Sequence, residues 1–314
     1  MTSPGEATVH ALGRGGVHGW LVIDKPYGMS SARAVALVRR SSGAKIGHAG
    51  TLDPLATGVL PLALGEATKT VQFVAAGKKR YRFRIRWGET RDTDDREGAV
   101  IAETSARPDA AAITAALAAF TGTILQRPPA YSAIKIGGRR AYALARAGKP
   151  PELAARPVEI AELRLICVAD PDHADFTAVV GGGTYIRALA RDLAQALGTL
   201  GHIVELRRLA VGRFAESQAI SLDSAVALGH SLAASEHLLP IETALDDIPA
   251  LALTAEEAAR LRHGQRVTPF DARERAHLDD IADGTIVGAR LNQLLVALAR
   301  IEDGALRPVR IINR

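Results

Sequence analysis

The sequence predicts a globular protein of mixed α and β structure, α/β or α+β, that presents a basic face. Three observations predict it. Hydrophobic residues fill 47% of the 314 positions, enough for a substantial core and too many for a disordered chain. Lys79 to Trp87 alternates basic and apolar residues with period two, as a strand with one buried face does. Ile186, Leu189, Ala190, Leu193 and Leu197 instead recur at helical spacing. The net charge of +5 permits a polyanionic partner without requiring one. The cations are clustered, however: Lys78, Lys79, Arg80, Arg82, Arg84 and Arg86 share one acid-free segment, and Arg139, Arg140, Arg146 and Lys149 form a second group.

At roughly 150 residues per domain there is room for one large domain and one small one. Met1 to Gly19 is rich in Gly and His and lacks an apolar h-region, so a flexible start is expected rather than a secretion signal. No apolar run reaches the roughly 18 residues of a membrane span. Trp20 to Ile23 reads as a strand ending at Asp24-Lys25-Pro26; Ser30 or Ser31 then caps a helix through Arg40, closed near Gly43. Glu66 to Ala76 reads as a helix stopped by Gly77. In the following strand the alternation puts Arg80, Arg82, Arg84 and Arg86 on one face and Tyr81, Phe83, Ile85 and Trp87 on the other. Pro108 to Phe120 is an Ala-rich helix. From Arg127-Pro128-Pro129 to Lys149-Pro150-Pro151 the paired prolines and basic residues mark an insertion, about 127–156, either a surface excursion or an RNA contact.

Val158 to Val168 and Phe176 to Val180 read as strands. Gly181-Gly182-Gly183 then opens the amphipathic helix that Gly198 closes, a place where a phosphate could be cradled. There is no GK[ST], which argues against a nucleotide-hydrolysing P-loop. Ser221 caps a helix through Leu228. The pattern restarts near Asp247-Ile248-Pro249: Thr254 caps a helix ending at His263-Gly264, and β-like runs follow at Gly284 to Leu291, Leu294 to Ile301 and Val309 to Ile312. Cys167, alone in an apolar run, excludes an internal disulfide and a cysteine-cluster metal site, and reads as a buried, inert thiol in a reducing cytosol.

The stretch with most chemical content is Gly47-His48-Ala49-Gly50-Thr51-Leu52-Asp53-Pro54-Leu55-Ala56-Thr57-Gly58. Its glycines allow close backbone approach, and Pro54 biases Asp53 away from the helical region. Asp53 thus stands on a stiff turn among apolar residues, where it either caps the turn or acts as a catalytic carboxylate. Read by themselves, Lys25 is a solvated turn residue and Tyr81 a core tyrosine whose hydroxyl reaches the surface. Asp92 to Gly98 invites a calcium-loop reading that fails on spacing, because the third ligand position is Arg96.

The Gly47–Gly58 string resembles the GHxGxLDPxAxG segment of the bacterial tRNA pseudouridine synthases that act on uridine 55 of the TΨC loop, the TruB family. Asp24-Lys25-Pro26 with Ser30-Ser31, Lys79-Arg80-Tyr81, the turn retaining Asp92, Thr93, Asp95 and Gly98, Pro128 to Lys135, and Gly183-Thr184-Tyr185-Ile186-Arg187 resemble further family segments. One departure is Gly182, where bacterial members often carry lysine. The likeness covers about residues 19–215 strongly and the rest weakly.

The resemblance implies an α+β fold: a pseudouridine synthase core on a mixed or antiparallel sheet flanked by helices, residues 19–248, after a flexible 1–18. A small, mainly β, PUA-like RNA-binding domain would follow at 249–314. It implies that Asp53 is catalytic, that Tyr81 packs against the target uracil, and that Arg187 pairs with the acid. Substrate-binding roles fall to Lys25, His48, Tyr185, Lys69, Arg80 and Lys135. Pseudouridylation breaks N1–C1′, turns the base and joins C5 to C1′. Redox state and composition do not change, so no cofactor and no metal is implied. The implied partner is the T-arm stem-loop of tRNA, with its uridine flipped out of the stack. No obligate protein partner is implied, and the expected state is a cytoplasmic monomer. Two other classes fit the residues less well. A catalytically inactive tRNA-binding protein or chaperone of the same fold is opposed by the intact set Asp53, Tyr81, Tyr185 and Arg187. A glycosidase needs a second carboxylate, and Asp53 has no obvious partner in the matching segments.

Overall fold

A computed structural model describes residues 16–132, 134–149, 151–268 and 280–314. The expected flexible start falls almost wholly on residues 1–15, outside the described residues. In chain order the elements are β1 (Gly19–Lys25), α1 (Ser31–Ser42), β2 (Ile46–His48), β3 (Thr57–Leu64), α2 (Val71–Ala76), β4 (Lys79–Trp87), β5 (Glu89–Arg91), β6 (Val100–Glu103), α3 (Ala110–Ala116) and β7 (Gly122–Gln126). The insertion holds β8 (Lys135–Ile136), β9 (Arg139–Arg140) and α4 (Ala141–Arg146). Then come β10 (Arg156–Asp170), β11 (His173–Val180), α5 (Ile186–Ala196), β12 (Gly201–Val211), β13 (Phe214–Ala215), β14 (Ile220–Ser221), α6 (Leu222–Leu228) and β15 (Leu238–Leu239). The chain ends with β16 (Ala250–Ala252), α7 (Ala255–Arg262), β17 (Ile286–Leu291), β18 (Leu294–Glu302) and β19 (Ala305–Ile311).

The frame is an 11-stranded sheet, eight strands in the order β14-β1-β3-β12-β4-β11-β10-β7, with β2, β13 and β15 paired off that path to β3, β12 and β1. The β1–β14 and β3–β12 pairs are parallel and the others along the path antiparallel, so the sheet is mixed, as the α+β reading expects. Its centre is covered on both faces. Leu21 and Ile23 of β1 pack in one layer with Ala34, Val35 and Val38 of α1 and Leu189 and Leu193 of α5. Trp20 and Val22 point the other way, into a layer with Val211, Phe214, Leu295 and Leu298. A strand covered on both faces needs a continuous apolar run, and Trp20-Leu21-Val22-Ile23 supplies it. The second sheet, β16-β17-β18-β19, has its own core around Leu251, Val287 and Leu306.

The predicted caps are in place: Ser30 accepts from the Arg33 N–H, Gly43 closes α1 at φ 67°, and Thr254 and Glu257 form a capping box. Strand β4 buries Tyr81, Phe83, Ile85 and Trp87, and burying Phe83 and Ile85 contributes about 1.5–3 kcal/mol each.

Three expectations need correction. Gly65–Thr70 is a 3₁₀ turn and only Val71–Ala76 is α-helical. The Thr68 and Thr70 hydroxyls donate to carbonyls three residues back, tightening the turn. Cys167 is exposed, not buried. Strand β10 outruns β7, which pairs only with Arg156–Ile160, so the outer half of the apolar run leaves the core. The last strand starts at Ala305 rather than Val309, because Asp303 and Gly304, at φ 49° and 66°, make a two-residue hairpin.

Gly58 shows how tightly the Asp53 loop is set. It sits at φ 100°, and a Cβ there would lie 2.2 Å from the Arg208 carbonyl oxygen. Gly58→Ala is expected to cost at least about 2–3 kcal/mol, combining left-handed strain with a backbone clash. A thermal melt matching the parent would contradict this.

Candidate active site

The Asp53 turn is fixed from three sides by backbone contacts. Ser31, buried at the start of α1, accepts from the Leu52 N–H at 2.8 Å and donates to the Leu52 carbonyl at 3.0 Å. The Gly28 N–H donates to the Pro54 carbonyl at 2.9 Å. Arg208, almost wholly buried on β12, donates to the Gly50 and Val59 carbonyls at 2.9 and 2.8 Å. Asp53 is therefore free of a capping duty. Its carboxylate accepts from Arg187 Nε at 2.9 Å while its side chain stays 35% exposed.

Arg187 comes from the first turn of α5 and is buried. Its Nη1 donates to the Thr93 carbonyl at 2.7 Å and lies 3.4 Å from Asp95 Oδ2; its Nη2 donates to the Tyr131 carbonyl at 2.8 Å. One guanidinium thus joins the Asp53 turn, the Asp92–Gly98 turn and the root of the insertion. Burial opposes its charge most strongly, but Asp53 and Asp95 outweigh that and hold its proton more tightly than usual.

Asp53 lies at the edge of a cavity of about 240 Å³ lined by Lys79, Tyr81, Tyr185, Leu206 and Arg208 among others. Strand β4 delivers Tyr81 on its inward face, and Tyr185 stands at the N-terminus of α5 with Arg156 over its ring, 5.6 Å from the centroid. Among the sequence-predicted residues, then, Asp53, Tyr81 and Tyr185 meet at one opening, with Arg187 directly behind Asp53.

The others stand elsewhere. Lys25 is not a solvated turn residue: it is fully buried and donates to the Pro26, Met29 and Pro54 carbonyls at 2.8, 2.6 and 3.3 Å, bracing the loop from below. Burial, chiefly, pushes its ammonium down to about 8, with Asp53 pulling the other way and Arg208 adding to the fall. His48 is half-buried on β2 outside the cavity lining, and burial, chiefly, with Arg208 holds its imidazole below the usual range. Lys69 does not face the cavity; it binds Glu66 at 2.6 Å and the Ile311 carbonyl at 2.7 Å, tying the second sheet to the first. Arg80 is exposed on the face of β4 opposite Tyr81. Lys135 belongs to β8, and the role assigned to its side chain lies outside the described residues.

Lys79 and Arg208 were missed as site residues. Both had a signal in strand parity: Lys79 shares the inward face of Tyr81, and Arg208 that of Leu206. Each is held by carbonyls, Lys79 by those of Ala75 and, at 2.9 Å, Gly77. Burial and the nearby Arg208 push the Lys79 ammonium down to about 8. In sequence Asp95 marks only a turn; its pairing with Arg187 joins residues far apart in the chain and leaves no local mark.

The family model for the N-terminal domain of TruB family pseudouridylate synthases matches residues 38–186, and that for the tRNA pseudouridylate synthase B C-terminal domain matches 187–246. A Rhodospirillum rubrum protein named tRNA pseudouridine synthase B is 56% identical over 298 residues, 95% of this chain and 97% of that one. Its namesake in Caulobacter vibrioides is 49% identical over 299 residues, 95% and 96% of the two chains. Among solved structures, the Cbf5 complex with Nop10 and Gar1 superposes with a TM-score of 0.73 at 24% identity, over 94% of this chain and 85% of that one, a likeness of fold. Sequence, fold and the meeting of motifs at one cavity agree, and the chain belongs to the TruB family of pseudouridylate synthases.

Proposed function

We propose that this protein isomerises uridine 55 in the T-arm of tRNA to pseudouridine, without a cofactor, with Asp53 as the catalytic residue. The observation that carries the reading is the contact between Asp53 and Arg187, 134 residues apart in sequence and 2.9 Å apart at a cavity that Tyr81 and Tyr185 also line. A carboxylate there is paired with a guanidinium yet open on one side. It can attack C1′ as a nucleophile or act as a base toward the sugar, and either route frees N1 from C1′. Reattachment through C5 then releases the C5 proton, and N1 ends with a proton instead. The uracil has to leave the RNA stack, at a few kcal/mol, and stacking on an aromatic such as Tyr81 offsets that cost. Arg82, exposed on β4, and the cations of the insertion supply phosphate contacts, and residues 249–314 serve as a further RNA-binding module. The protein works as a monomer in the cytoplasm.

The deciding experiment maps pseudouridine in tRNA from cells lacking this protein. Unmodified uridine at position 55, restored by a plasmid copy, is expected; an unchanged map would refute the substrate. An inactive tRNA-binding protein of the same fold would release no tritium from C5-labelled tRNA. Tyr81 offers a finer test: with stacking as its main task, Tyr81→Phe keeps turnover within about tenfold while Tyr81→Ala loses about 1–3 kcal/mol of base stacking and falls further. Equal losses would transfer the role to the hydroxyl.

A further inference from the structure

We propose that Arg191 and Asp94 are positioning residues, a second clasp one helical turn beyond Arg187 that sets the posture of the insertion for RNA. Arg187 and Arg191 lie four residues apart on α5 and so share a face. Each reaches the same two segments. Arg187 takes the Thr93 and Tyr131 carbonyls; Arg191 takes Asp94 Oδ2 through Nη1 and the Arg127 carbonyl through Nη2, both at 2.8 Å. Asp192 accepts from Arg191 Nε at 2.9 Å and fixes its fork. The Tyr131 hydroxyl donates to Asp92 at 3.2 Å, a third tie between turn and insertion.

Asp94 is buried and sits at φ 59°, uncommon for a residue other than glycine, between its N–H bond to the Arg91 carbonyl and its carbonyl bond from the Ile203 N–H. The backbone at 127 and 131, where the insertion leaves the core, is thus pinned to α5 at two successive turns. Arg139, Arg146 and Lys149 lie beyond that root, so its angle decides where their charge meets the RNA. Loosening the outer clasp alters that angle and leaves the Arg187–Asp53 contact in place.

The clasp is also acid-sensitive. Facing Asp94 are Arg191, Arg187 and Asp192 from α5 and the Ile203 backbone from β12. Burial, chiefly, pushes its carboxyl up to about 6 against the pull of Arg191 and Arg187. Below that pH the Asp94 carboxylate gains a proton, and Arg191 loses the counter-charge that joins it to the turn while keeping Asp192 on its own helix.

This rests on the tRNA-modifying reading, so the test has two arms. In the first, KM and kcat on T-arm RNA are measured from pH 5.5 to 8 for the parent, Arg191→Met, Arg191→Lys, Asp94→Asn and the Asp94→Asn/Arg191→Met pair. At pH 7.5 each of Arg191→Met and Asp94→Asn is expected to raise KM about tenfold, the weight of 1.4 kcal/mol, with kcat within about twofold. The pair should be no worse than the single variants, and Arg191→Lys should recover part of the loss. The parent's KM should climb as pH falls through 6 while that of Asp94→Asn stays flat. A fall in kcat at constant KM, or additive effects, would overturn the proposal. The second arm needs no activity: limited proteolysis within residues 127–156 should be faster in Arg191→Met and Asp94→Asn than in the parent. Equal rates overturn the clasp, whereas a parent that makes no pseudouridine but shows these differences overturns only the functional reading.

Discussion

Replacing Asp53 with Asn is expected to lower single-turnover tritium release from C5-labelled tRNA by at least about 10⁴-fold, the scale on which losing a nucleophile or its base registers. Binding of the same RNA should stay within about twofold, equivalent to a change of 0.5 kcal/mol or less. The physical reason is that Asn keeps the shape and an oxygen for Arg187 Nε but cannot carry the charge. Removing a negative group from a cavity that receives a polyanion does not weaken association, so a defect confined to the chemical step is the signature. Full turnover in clean Asp53→Asn protein would refute the assignment.

Arg187→Met is expected to do two things together. Turnover should fall about 100–1,000-fold, as for loss of a preorganised electrostatic partner. Stability should fall by about 3 kcal/mol, the lower end for breaking a buried pair, since Asp53 is one-third exposed and can be rehydrated. Asp95 cannot: it is buried, and it would keep the Thr93 hydroxyl and the Glu97 N–H but lose the guanidinium beside it, while the Thr93 and Tyr131 carbonyls would lose a donor. Arg187→Lys keeps the charge without the planar fork that serves three segments, so it should regain stability more than turnover. Thermal melts and tritium release on the same preparations check both. A stable, fully active Arg187→Met protein would show that the ion pair is ornamental.

Local pattern carried much of this. The alternation in Lys79–Trp87, the caps at Ser30, Ser221 and Thr254, and the glycine stops at 43 and 77 are each decided within a few residues, and the fold honours them. What pattern cannot show is a cation turned inward onto carbonyls, since Lys25, Lys79 and Arg208 look like surface residues until the loops that supply those carbonyls close over them. The same holds for Arg187 with Asp95 and for Arg191 with Asp94. Their partners come from a turn more than ninety residues away in sequence, and no period links them. Lys69 shows the converse: a basic residue next to the right motif is spent on an ion pair and a strand end.

The central claim is that Asp53 meets a uridine withdrawn from its RNA. The most direct measurement is a crystal structure of the Asp53→Asn protein bound to a T-arm stem-loop. The account predicts the base of nucleotide 55 inside the cavity, against Tyr81, with the residue 53 side chain in contact with that nucleotide. A uridine still stacked in its loop, or lodged away from residue 53, would contradict it.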